Sequence, residues 1–186
     1  MSKIKKIFLT IGILFLIAII SFFLYMKFLF PYHFESPKKT VLKNSKSGGE
    51  AVLFTHGALM GHRISFFVKD NNNDIWIGNI ETDDSGFQSI CWSMDGSVIA
   101  SKSSSRYTDR PIFTHAYDFT NNKLYQPGKN GFNKKADWVK LSKQIKDLLE
   151  SRGGMDKEIE KESLHNTNSK ASYSEWENYQ KLEKAN

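Results

Sequence analysis

From Ile7 to Met26 the chain reads IFLTIGILFLIAIISFFLYM, without a single charged residue. As a helix rising about 1.5 Å per residue, such a run is about 30 Å long, the thickness of a bilayer's hydrocarbon core. It is apolar on every face, and nothing downstream is large or apolar enough to enclose it inside a protein. The expected partner of Ile7 to Met26 is therefore the lipid bilayer. A cleavable signal peptide would have a shorter apolar centre, about 7 to 15 residues, followed by small side chains. Here the run passes through Lys27 into Phe28, Leu29 and Phe30, and the lone cysteine, Cys91, is not placed for a lipoprotein. Residues 1–30 read as an uncleaved membrane anchor.

Charge gives the orientation only in part. Lys3, Lys5 and Lys6 favour a cytoplasmic N-terminus, whereas Lys27, Lys38, Lys39, Lys43 and Lys46 crowd the other flank. Long segments translocate largely regardless of charge, which favours a cytoplasmic N-terminus and an extracytoplasmic C-terminal domain, periplasmic in a Gram-negative cell. The net charge of +6 is less informative than its location. Four lysines and no acid fall in residues 1–27, leaving 22 basic against 20 acidic side chains in the rest. That excess suits anionic lipid at the membrane surface, and without a nucleic-acid-binding motif no nucleic-acid partner is expected.

Residues 31–49, with Pro31, Pro37 and Gly48-Gly49 among lysines and serines, read as a linker. From Glu50 short apolar or alternating segments are divided by turn residues, the pattern of antiparallel structure. Strands are expected at Ala51 to Thr55, Arg63 to Lys69, Ile75 to Glu81, Phe87 to Ser93, Val98 to Lys102, Ile112 to Phe119 and Leu124 to Tyr125. Turns fall at Asp70 to Asp74, Asp83 to Gly86, Asp95-Gly96 and Thr120 to Lys123. Over 136–152 the period becomes helical, with Trp138, Leu141, Ile145, Leu148 and Leu149 on one stripe, Asn133 or Asp137 at the start and Gly153-Gly154 as the stop. The expected domain is thus 50–154, and 155–186 reads as a charged, disordered tail whose segment Ser174 to Glu183 is a marginal helix on its own. The fold class is an N-terminal single transmembrane helix plus a mainly-β domain, an antiparallel meander or small sandwich, with a C-terminal amphipathic helix.

One stretch has a recognisable pattern. Ser89 to Lys102 reads SICWSMDGSVIASK, and FTHAYDFTNNKL follows from Phe113 to Leu124. Trp92, Ser93, Asp95, Gly96, Ile99 and Ala100, with Tyr117-Asp118-Phe119 later, resemble a blade of the WD-like and TolB-like β-propeller repeats, although Met94 stands where those repeats have proline. The resemblance implies a hairpin with a tight turn at Asp95-Gly96. A closed propeller needs at least about four blades of about 40 to 45 residues, and Glu50 to Pro127 holds at most two.

The chemistry-bearing side chains form no strong motif. Asp70, Asn72, Asp74, Ile77 and Glu81 fall on calcium-loop positions, but Ile75 replaces the required glycine and strands replace the flanking helices. His56 and His62 bracket a glycine-containing loop, and with His115 they lack the spacing of a metal site. There is no nucleophile elbow and no phosphate-binding loop, and Cys91 sits in an apolar strand that disfavours a thiolate. No cofactor, metal or catalytic residue is expected, and the chain does not read as an enzyme.

The reading is instead a small binding domain for a protein partner. The loops Gly57 to Arg63 and Ser103 to Arg110 carry its candidate contacts: His56, His62, Arg63, Arg106, Tyr107 and Arg110. Size and topology are those of small anchored envelope proteins, immunity proteins among them. The competing expectation is an envelope hydrolase using His56, His62 and nearby acids.

Overall fold

The computed structural model describes residues 3–29, 36–44, 46–58, 61–71, 73–81, 86–105, 108–127, 134–160 and 169–185. Helix α1, Lys3–Leu29, contains the apolar run. Its segment Phe8–Phe28 has a mean hydropathy of 2.6 and none of it is buried, so one N-terminal helix is long and apolar enough to span a membrane.

The rest is two antiparallel sheets packed face to face with a helix on each outer side. The first sheet is built from β1 (Lys38–Lys43), β2 (Glu50–Ala58), β3 (Gly61–Asp70), β4 (Asn73–Glu81) and, from far along the chain, β10 (Ser169–Lys170), in the order β10-β1-β2-β3-β4. The second holds β5 (Phe87–Trp92), β6 (Val98–Ser105), β7 (Thr108–Asp118), β8 (Lys123–Tyr125) and β9 (Ile159–Glu160), in the order β8-β7-β6-β5-β9. Between them lies the main core, in which Leu53, Phe66, Val68 and Ile77 of the first sheet meet Ile90, Trp92, Ile99 and Tyr117 of the second. Two contacts tie the sheets together. The Tyr117 hydroxyl donates to Asp70 Oδ2 at 2.8 Å, and the ring of His115 lies directly on Gly78, where a side chain would collide with it.

Both outer faces are apolar as well, so each needs a cover. Helix α2, Lys135–Ser151, lays Leu141, Ile145 and Leu149 on Cys91, Val98, Ala100 and Ala116 of the second sheet. Gly153 and Gly154, at φ of +88° and +93°, end it, with the Gly154 N–H donating to the Leu149 carbonyl at 2.9 Å. Of the two residues expected near its N-terminus, Asp137 stands in the first turn and Asn133 lies outside the described residues, while Lys134 occupies the cap without a side-chain bond. Helix α3, Tyr173–Ala185, crosses the first sheet with Trp176 and Tyr179 on Val52, Phe54 and Phe67.

Three sequence expectations are altered. Within 31–49, Lys38–Lys43 is strand β1, paired along its length with β2. Within 155–186, β9, β10 and α3 are ordered parts of the sandwich, their propensity supplemented by tertiary packing. At Asp95-Gly96 only Gly96 has a positive φ, +77°, and Asp95 instead accepts bonds from Ser93 Oγ (2.6 Å) and Ser97 N (2.9 Å). The loop is therefore a four-residue connection closed by Ser93 N–H on Val98 O at 2.8 Å, in place of a tight two-residue turn. The blade-like hairpin is β5 and β6 of the second sheet.

Candidate functional site

Strand direction sorts the connections into two ends. At the near end, where the chain arrives from α1 and Lys38 pairs with Thr55, lie the β2 to β3 connection, the β6 to β7 connection and the start of β5. At the far end lie the β1 to β2, β3 to β4 and β5 to β6 turns. The loops carrying the six candidate residues thus share the near end. Arg106 and Tyr107 lie outside the described residues, as does the side chain of His62. Arg110 is exposed near the start of β7, while Arg63 and His56 are half-buried and directly opposite one another across β2 and β3. His62 pairs with Gly57, so the two histidines are not partners across the hairpin.

His56 is engaged beneath α3. Its ring centroid is 4.5 Å from that of Trp176, and its Nε2 is 3.0 Å from Ser65 Oγ. The Ser65 hydroxyl donates to Glu183 Oε2 at 3.4 Å, and Glu183 also accepts a bond from Asn79 Nδ2. The Ser65 hydroxyl is therefore within hydrogen-bond distance of both the His56 imidazole and the Glu183 carboxylate. Ser65 is moreover fully buried, so this histidine and serine hold α3 against the sheet.

The remaining chemical candidates are likewise absorbed by packing. Asp70 accepts from Tyr117 and Asp74 from Tyr179 at 3.0 Å, and burial raises both phenols. These carboxylates serve a hairpin turn with Asn71 at φ of +49°, and among the described residues no cluster of His, Cys, Asp and Glu could hold a metal. His115 is buried between the sheets with Nδ1 3.1 Å from Thr114 Oγ1, and desolvation lowers its pKa to about 4, keeping it neutral. Burial pushes the Cys91 thiol up to about 12.

A concavity of about 290 Å³ opens near the far end, in the seam between the sheets. Leu42, Trp92 and Ile159 form its floor, and Lys43, Lys46, Asp156 and Lys157 stand around it with Asn44. It was invisible in the sequence because it joins β1, read as linker, to residues 156–159, read as tail. The only signal was the lysine content of both segments.

No protein-family model matches the chain, no curated protein matches it, and no solved structure matches it.

Proposed function

We propose that the chain is a single-pass protein of the cell envelope whose sandwich is a protein-binding module, with the N-terminus cytoplasmic and the domain extracytoplasmic. The observation that supports this reading is that the β2 to β3 and β6 to β7 connections lie at the same end of the two sheets, with Arg110 exposed near the start of β7. Arginines at strand ends offer charged, fork-shaped donors to a partner surface. The arrangement favours binding over hydrolysis, because Ser65 is fully buried and its pair with His56 lies under α3, closed to a substrate.

The test uses the full chain in detergent micelles to capture partners from its own cells, followed by titration of each captured protein against the chain and its Arg110→Glu variant. One saturable protein partner, weakened about tenfold or more by the charge reversal, is the expected result. A partner that binds both forms equally, or no saturable partner, would overturn the near-end reading. Orientation is tested separately by protease treatment of sealed cells. A C-terminal epitope should be digested without lysis after outer-membrane permeabilisation, and protection until lysis would reverse the assignment.

A further inference from the structure

We infer that the near end of the sandwich, on the side where β7 and α2 begin, rests on the anionic headgroups of the bilayer that holds α1. This contact requires the membrane anchor of the proposed function but not its protein partner, and either can fail without the other.

Covalent geometry keeps the near end close to the membrane. Helix α1 ends at Leu29, one residue past its apolar segment, and the sandwich is described from Ser36 onward. Seven residues of chain reach at most about 25 Å, whatever their conformation. The chain enters β1 at the near end, where Lys38 pairs with Thr55, and β1 then runs away from that point for six residues, about 17 Å. With the near end toward the bilayer, the connection has slack. Turning the far end toward it would lift the entry point by the length of β1 and its turn, which takes up most of the available reach. The near end is therefore the one held at headgroup level.

Helix α2 begins at this same end. The Phe113 N–H donates to Ser142 Oγ at 3.1 Å, and Arg152 Nη2 donates to Asp118 Oδ2 at 3.4 Å, so α2 runs alongside β7 in the same direction. Counted back from Ser142, Lys135 is about 10 Å closer to the near end, level with Arg110, which precedes Phe113 by a similar length of strand. The β4 to β5 connection, with Asp83 and Asp84 outside the described residues, lies at this end too, which confines the cationic surface to its α2 side.

The exposed cations on that side are Arg110, Lys134, Lys135 and Lys140, and Asp137 is the exposed acid among them. Lys134 and Lys140 form no ion pair among the described residues. At the far end, by contrast, Lys43 and Lys69 share Glu50 at 3.2 and 3.1 Å, and Lys46 stands 3.9 Å from Asp156. An ammonium group close to an anionic membrane strengthens attachment about fivefold, an effect that fades within a Debye length. Val139, one turn after Lys135 on the same face of α2, is 50% exposed, the highest value for a large apolar side chain described in the sandwich. An apolar side chain among lysines suits the boundary between headgroups and acyl chains, where the lysine stems also find apolar surroundings.

The test uses the full chain in nanodiscs of equal parts phosphatidylcholine and phosphatidylglycerol. A fluorophore is attached through Val139→Cys or, at the far end, through Met155→Cys, and a spin label on the lipid headgroups serves as quencher. Both positions are exposed, at 50% and 45%, whereas the native Cys91 is buried. Quenching is expected at 139 and little at 155, fading when phosphatidylglycerol is omitted or salt is raised. Lys134→Glu/Lys140→Glu should weaken the contact about tenfold or more, with no fall in the unfolding midpoint. Equal quenching at the two positions, undiminished quenching in phosphatidylcholine alone, or indifference to the lysine reversals would overturn the contact. So would reversals that abolish capture of a protein partner and leave the quenching intact, which would assign these lysines to that partner. A chain that fails to enter the nanodiscs would overturn the anchor and the contact together.

Discussion

Replacing Gly78 by alanine probes the packing of the two sheets at a point of close approach. A methyl group there would abut Nε2 of His115 and stand 2.5 Å from Cδ2, and Gly78 is fixed opposite Phe66 in the register of β3 and β4. Carbon atoms pack best at about 3.5 to 4.0 Å, so the methyl intrudes by about 1 Å. Neither side can yield cheaply, because His115 is 8% exposed and bonded to Thr114, which is itself 2.8 Å from Ser103. Overpacking of this kind costs about 1 to 3 kcal/mol, and the buried, bonded ring places Gly78→Ala at the upper end, about 2 to 3 kcal/mol. At about 2 to 4 °C per kcal/mol for a domain of this size, the midpoint should fall by about 4 to 12 °C. The assay is thermal and urea unfolding of the full chain in micelles, followed by tryptophan fluorescence. His115→Ala supplies a control, since removing the ring makes room for the methyl. The double variant should be more stable than the sum of the single effects by about 1 kcal/mol or more. A Gly78→Ala effect within about 0.5 kcal/mol of zero, or strict additivity, would refute the close approach of the sheets.

Two further predictions follow from the buried titratable groups. Burial holds the His115 imidazole at a pKa of about 4, against about 6.5 for a solvated one, so between those values the unfolded chain binds the extra proton. Stability should be fully present above pH 6.5 and decline as pH falls toward 4, by about 3 kcal/mol at most, and His115→Ala should flatten urea midpoints across that window. An unchanged pH profile in the variant would contradict the neutral buried ring. Cys91, with its thiol pushed to about 12, should react with a maleimide at pH 8 only as urea unfolds the chain, and labelling of the native protein at the rate of a free thiol would contradict its burial.

The strands of residues 50–125 and the turns after Asp70 and Asp118 were legible because alternating apolar positions and Asn and Asp clusters are local signals, whereas Asp83 to Ser85 of the expected Asp83 to Gly86 turn lie outside the described residues. The α2 helix was legible for the same reason, from its stripe and its two glycines. What was missed depended on distant pairing. Lys38–Lys43 has neither a long apolar run nor clean alternation, and becomes a strand only because β2 is beside it. β9 and β10 are two residues each, too short to have a pattern. One signal did point to α3: Ala51-Val52-Leu53-Phe54 and Phe66-Phe67-Val68 are apolar on both faces, and a two-sided strand requires a second cover. Trp176 and Tyr179 provide it, with ring contacts of 5.1 and 4.7 Å to Phe54. At the near end, the sequence found the two loops but not the engagement of His56, which rests on Ser65, Trp176 and Glu183, up to 127 residues away. The far-end groove was beyond reach, because two of its three sides were assigned to linker and tail.

The central claim, that the near end of the sandwich is where a protein partner is held, is tested most directly by a photo-crosslinking residue placed at position 110 in the full chain in living cells. Position 147, on the exposed side of α2, is the control. A discrete protein adduct from 110 and none from 147 is the predicted result, and equal adducts from both positions, or none from 110, would contradict it.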